Sequence, residues 1–289
     1  MIYCPKQRRI TYILPIKSKE NLMKKMFIIL TLIFLMMTGV SPVTAEQKIV
    51  DRYVNYTAGG VTMKGYLAYD QNITEKRPGI LVVHEWWGQN DYVRNRARML
   101  AKLGYVAFAV DMYGDGKIAE HPKDATLFSS QLSKDFNTAN LRLDKAESIL
   151  RTQPQVDPDK IAAIGYCFGG GVVLNMALQG ADLKGVASFH GSLGAVKEVK
   201  TGAVKAKIII FNGEDDKFNS KEAIESIREK MKNAGVDYQF ISYPGAIHAF
   251  TNPDADKYGK KFNIPLAYNA RADKESWEAL KIFLEGLFK

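Results

Sequence analysis

The chain has 289 residues, 46% of them hydrophobic, with a formal net charge of +9 and two cysteines. That length can bury one large core or two modest ones. Of the +9, residues 1–45 hold +6 (seven Lys/Arg against one Asp/Glu), so the rest carries +3, too mild a balance to suggest nucleic-acid binding.

In chain order the first feature is "MKKMFIILTLIFLMMTGVSPVTA". It starts at Met23 with Lys24 and Lys25, runs apolar from Met26 to Met37 and closes on Val43, Thr44 and Ala45. A basic start, a short apolar run and small residues at the exit read as a secretory signal over 23–45. A membrane anchor usually needs about 20 apolar residues; this run is shorter and ends in Gly39, Ser41 and Pro42. The expected product is an exported protein, periplasmic or secreted, with no stable membrane anchor after cleavage. Residues 1–22 fit no signal pattern and read as a non-native or unstructured extension ahead of an initiator at Met23. Export would leave Cys167 as the only thiol, without a partner for an internal disulfide. A lone cysteine is most often a buried small hydrophobe, so its neighbours must decide its role.

From Val50 to Tyr69 a strand-like pattern is broken by Gly59-Gly60, which predicts an antiparallel hairpin. Apolar runs follow at Ile80–Val83, Tyr105–Val110, Ile161–Ile164, Val186–Phe189, Ile208–Phe211 and Tyr238–Tyr243. They lack in-out alternation, as expected of strands covered on both faces. Helical spacing lies between most of them. Val93, Ala97, Leu100 and Leu103 mark one helix stopped at Gly104, and the steps from Phe128 to Leu150 predict a single long amphipathic helix ending near Pro154. Ala223, Ile227 and Met231 mark another, and Trp277, Leu280, Leu284 and Leu287 the last. Strands alternating with helices give an α/β class with a mainly parallel central sheet and helices on both faces. No repeat or linker divides 46–289, which reads as one domain.

In such a sheet, function gathers at the carboxyl ends of the strands. "GYCFGG", Gly165 to Gly170, sits just past one. It fits Gly-x-nucleophile-x-Gly, a sharp strand-to-helix turn whose strained nucleophile tolerates no side chain two residues to either side. The following helix N-terminus favours thiolate over thiol. A phosphate loop is the alternative for a glycine-rich turn, but the Walker lysine and the G-x-G-x-x-G spacing are both missing. A nucleophile there needs an acid and then a base further along. "IIIFNGEDDKF" places Asp215 and Asp216 directly after a strand, and Gly-x-x-Asp from Gly213 selects Asp216, although Asp215 also qualifies. "ISYPGAIHAF" places His248 in the next strand's loop. "LVVHEWWGQN" follows the strand expected to supply the other oxyanion-hole amide, so the N–H groups of Trp86 and Phe168 should converge on the developing oxyanion. Trp87, Tyr113, His190 and Phe250 are expected to line the substrate cleft. His84 has no second ligand at helical spacing, so no metal is expected.

Taken together, "HEWWG", "GYCFGG", "GEDD" and "YPGAIHAF" resemble the dienelactone hydrolase family, a cysteine branch of the α/β-hydrolase fold, from about Tyr53 to the C-terminus. The resemblance implies Cys167 as nucleophile, His248 as base and Asp216 as its orienting acid. It also implies that Glu85 contacts the resting thiol and controls its activation. The implied reaction is hydrolysis of a small ester or lactone through a thioester, with no cofactor. Thioesterase or peptidase chemistry on the same scaffold, or non-catalytic binding of a small molecule, remain the alternatives. Members that cleave dienelactones clamp the substrate carboxylate with arginines; here Asp115 and Asn252 stand near those places. A substrate carboxylate facing Asp115 would be repelled.

Overall fold

The computed structural model describes residues 46–289 other than 197, 198 and 200. The extension and signal read at 1–22 and 23–45 lie outside the described residues. Eight strands form one sheet: β1 (Ile49–Ala58), β2 (Val61–Asp70), β3 (Arg77–Val83), β4 (Val106–Val110), β5 (Val156–Tyr166), β6 (Gly185–Phe189), β7 (Lys207–Gly213) and β8 (Tyr238–Tyr243). Their order is β1-β2-β4-β3-β5-β6-β7-β8. β1 and β2 pair antiparallel from Ala58↔Val61 outward, and β2 pairs antiparallel with β4. Both glycines of that two-residue turn have positive φ, 60° and 77°, which glycine adopts without steric cost. Every other pairing is parallel.

Helices α1 (Asp91–Lys102), α2 (Pro122–Lys134), α3 (Phe136–Arg151), α4 (Phe168–Leu178), α5 (Lys221–Asn233), α6 (Ala255–Phe262) and α7 (Ala270–Phe288) cover the sheet. The strand pleat sends alternate residues to opposite cores. Leu81, Val83, Ala163 and Ile210 pack with residues of α3, α4 and α5; Ile80, Val82, Ile164 and Phe211 pack with residues of α1 and α7. A strand apolar on both faces needs helices on both, which is why β3, β4 and β6 read as unbroken apolar runs. The chain runs from β3 to β4 on one side, then returns to place β5 on the other. The carboxyl ends of β3 and β5 therefore border a switch point, where α/β sheets open a crevice.

The single long helix expected over Phe128–Leu150 is two. At Asp135 (φ −102°, ψ 79°) α2 stops and α3 starts. The Asp135 carboxylate accepts from Thr138 N at 3.0 Å and Thr138 Oγ1 at 2.6 Å, capping α3. The apolar steps hid the break because Leu132 and Ala139, on either side of it, both face the core. At the other end of α2, His121 caps by accepting from Lys123 N, with Pro122 in the first turn. Helix α6 was not anticipated.

Candidate active site

Between β5 and α4 the backbone turns at Cys167, whose φ of 52° lies in the left-handed region. A non-glycine residue held there costs of order 1–3 kcal/mol, which surrounding structure must offset. The offset is visible on both sides. A Cβ on Gly165 would lie 2.1 Å from Gly169 O, and one on Gly169 would lie 2.4 Å from Val83 O and 2.6 Å from His84 O. Only glycine lets the elbow close this tightly against the end of β3. The Gly169 N–H donates to His84 O at 3.1 Å, and the Cys167 N–H to Phe189 O at 3.0 Å, fixing the turn to β3 and β6.

Cys167 Sγ lies 3.0 Å from His248 Nε2, and His248 Nδ1 lies 2.8 Å from Asp216 Oδ2. The other Asp216 oxygen accepts from the Phe218 N–H at 2.8 Å. Asp216 is buried, whereas Asp215 is exposed. Burial by itself would lower the His248 pKa; the neighbouring Cys167 sulfur and the Asp216 carboxylate outweigh it and raise the imidazole to about 10. The sulfur and the carboxylate thus flank the ring and both favour its protonated form.

Trp86 and Phe168 border the same space as Cys167 and His248. The bond from Gly169 N to His84 O draws the two amide-bearing segments together. Below them, His84 donates from Nδ1 to Glu85 O at 2.5 Å and accepts at Nε2 from Met112 N at 3.2 Å. It is a fully buried, neutral tie between the ends of β3 and β4.

Glu85 does not meet the implied thiol contact. Its Oε2 accepts from Asn252 Nδ2 at 2.6 Å, while its buried Oε1 has no hydrogen-bond partner among the described residues. The sulfur instead faces His248. Burial raises the Glu85 pKa to about 7 against the opposing Asn252 bond and His248 charge. Asn252 therefore serves Glu85, and Asp115 lies exposed beside Lys117 at 3.4 Å.

A cavity of about 300 Å³ opens over the sulfur. The four residues expected to line it do not border it. Trp87 is 1% exposed and stacks on Tyr258 of α6 at 4.5 Å between ring centres. Tyr113 donates from its hydroxyl to Trp86 O at 2.9 Å and so braces the loop from behind. Phe250 is fully buried against Tyr243 and His190. His190, also fully buried, bonds through Nε2 to Thr251 Oγ1 at 2.8 Å. The side chains of Trp87, His190 and Phe250 turn into the core, and Tyr113 lines a neighbouring cavity beside α2 and α3. The walls come instead from Phe218, Ser192 and Leu266, and from Thr126, Ser129, Ser130 and Ser133 of α2. The i, i+3, i+4, i+7 spacing of those α2 hydroxyls was present in the sequence, without a sign that α2 bounds the cleft.

Residues 63–288 match the dienelactone hydrolase family model. The chain belongs to the dienelactone hydrolase family. It is accordingly a hydrolase of ester or lactone bonds on the α/β-hydrolase fold. Among similar proteins, one from Aquifex pyrophilus named protein usf is 29% identical over 211 residues, covering 69% of this chain and 86% of its own. One from Aquifex aeolicus, provisionally named a carboxymethylenebutenolidase, is 27% identical over 243 residues, 82% of this chain and 98% of its own. A solved dienelactone hydrolase-like promiscuous phosphotriesterase from metagenomic libraries is 33% identical, with a TM-score of 0.77 over 83% of this chain and 99% of its own. This family member thus spans nearly the whole length of those relatives.

Proposed function

We propose that this dienelactone hydrolase family member cleaves small neutral esters or lactones by acyl transfer to Cys167. The observation carrying this reading is the continuous line from Cys167 Sγ through His248 to Asp216, 3.0 and 2.8 Å, at a positive-φ elbow that opens into a cavity. The Cys167 thiolate attacks the carbonyl carbon, a C–S bond forms, and the carbonyl π pair moves onto oxygen. The Trp86 and Phe168 N–H groups receive that oxyanion; one such donor contributes roughly 3 kcal/mol. The tetrahedral species collapses, the ester C–O bond breaks, and His248 Nε2 gives its proton to the leaving oxygen. Neutral His248 then takes a proton from water, which attacks the thioester and returns thiolate, imidazolium and free acid. Asp216 holds the ring with Nε2 toward sulfur.

Among the described residues no arginine clamp for a carboxylate is formed, since Asn252 is engaged by Glu85 and the cavity wall shows no lysine or arginine. Neutral substrates fit this wall better than anionic ones. The signal-like segment at 23–45 supports export of the enzyme, which the N-terminal sequence of the extracellular or periplasmic protein tests. For the chemistry, 4-nitrophenyl butyrate is mixed with protein before and after iodoacetamide, and the quenched protein is weighed. Alkylation should abolish turnover, and the unalkylated enzyme should carry a butyryl group on Cys167. Full activity after alkylation of Cys167 refutes the assignment.

A further inference from the structure

Thr126, Ser129, Ser130 and Ser133 form one stripe of α2 bordering the cavity, beside the buried stripe of Ala125 and Leu132. Three of these hydroxyls bond back to carbonyls of their own helix. Ser129 Oγ donates to Ala125 O at 2.7 Å, Ser130 Oγ to Leu127 O at 3.2 Å, and Ser133 Oγ to Ser129 O at 2.9 Å. A serine bonded back to its own helix turns accepting lone pairs outward. That wall of the cavity therefore presents acceptors.

The cleft also has two chemically distinct ends. At the imidazole, Phe218 packs on the His248 ring at 4.6 Å between centres, and Leu266 pairs with His248 through a backbone bridge. At the elbow, Ser133 and Ser192 adjoin Phe168 around a smaller cavity of about 60 Å³ beneath α2. His248 must face the leaving oxygen to protonate it, so the leaving group occupies the apolar end. The acyl chain then runs along the hydroxyl stripe.

We infer that the α2 serines select the acyl group, and that the preferred substrates are neutral esters of hydroxylated acids with an apolar alcohol. This rests on the acyl-transfer reading above. An acyl hydroxyl can donate into the serine lone pairs, an alkyl chain leaves them dry and unpaired, and a carboxylate meets oxygen with oxygen.

The test compares 4-nitrophenyl esters of 3-hydroxybutyrate and butyrate on the full enzyme and on the Ser130→Ala/Ser133→Ala variant. Taking the ratio of kcat/KM values cancels intrinsic ester reactivity and any loss common to both substrates. The ratio should fall by about tenfold in the variant, the range expected for lost hydrogen bonds. In a second arm, the adipate half-ester should react more slowly than the hexanoate ester. Ser→Ala improves helix propensity, so the variant keeps α2 folded. An unchanged ratio, or a faster adipate half-ester, overturns the inference while a Cys167 thioester seen by mass spectrometry leaves the acyl-transfer reading standing. Absence of that thioester overturns the acyl-transfer reading itself.

Discussion

His248 and His190 meet edge to face, 5.3 Å between ring centres, and both are almost wholly buried. Their surroundings nevertheless push their pKa values in opposite directions. His248 is raised to about 10, while His190 is driven well below its ordinary value by burial, then by the His248 and Arg96 charges. Burial opposes the charged form in both, so partners decide. His248 touches a sulfur and a carboxylate. His190 has the Thr251 hydroxyl as its polar partner, and its Nδ1 has none among the described residues. Thr251 is itself held by Tyr92 OH at 2.6 Å and, through its carbonyl, by Arg96 Nη2 at 2.5 Å. Positive charge is thereby favoured on the ring that faces Cys167, and the ring behind it is held toward its neutral form.

The comparison breaks most completely at the sulfur. Cys167→Ala should abolish ester turnover above background and remove one source of the raised His248 pKa, so the imidazole becomes titratable nearer neutrality. Histidine nitrogen shifts measured against pH check both rings, with His190 remaining neutral throughout. With the His248 pKa raised to about 10 in the wild type, turnover should fall above that pH as the ring loses the proton the leaving group would take. Next in size, Asp216→Asn keeps the shape but removes the charge that helps hold His248 positive. A loss of about 10³- to 10⁴-fold in kcat is expected, as for other triads lacking their acid; a loss under tenfold would show that the sulfur alone sustains the difference between the rings.

Glu85 extends the rule to an acid. One oxygen is unpartnered and the group is buried, so, like His190, it leans toward its neutral form. Its folded pKa of about 7 exceeds the ordinary 4.5, so the folded state binds more protons than the unfolded between those values. Stability should therefore be highest from this group below about pH 4.5 and decline as pH rises to 7, by about 3 kcal/mol in total. In Glu85→Gln that slope disappears. Urea midpoints at pH 5 and pH 8 make the measurement, and equal slopes in the two proteins would refute the account.

What was legible in the sequence follows from the same distinction between position and direction. The alternation of strands and helices, the hairpin at Gly59-Gly60 and the glycines flanking Cys167 all mark backbone constraints, and backbone constraints leave residue-type signatures. The loops carrying Asp216 and His248 were readable because chain order fixes which strand end each occupies. The cleft walls were not. Trp87, Tyr113, His190 and Phe250 stand near strand ends, yet one peptide's rotation decides whether a side chain enters a cleft or a core. The break at Asp135 was hidden for a related reason: apolar periodicity reports a buried face, and the face continues across it. Glu85 was found by resemblance, but its partner Asn252, far along the chain, left no signal in the sequence.

The smallest expected effect comes from Thr251, the residue that holds His190. Thr251→Val keeps the shape and removes the hydroxyl to which both His190 Nε2 and Tyr92 OH are bonded. Two buried polar groups lose a partner, each at a cost of about 1–3 kcal/mol, softened if they bond to each other. The melting temperature should drop measurably. Turnover should change by less than about tenfold, because His190 does not border the cavity and acts only by packing on the His248 ring. A shift of the upper pH limit in this variant would mean that His190 has taken up charge, and that its hydroxyl partner, more than burial, had kept it neutral. An unmoved limit with a lowered melting temperature would place the whole effect of Thr251 on stability, leaving the sulfur and Asp216 to set the charge of His248.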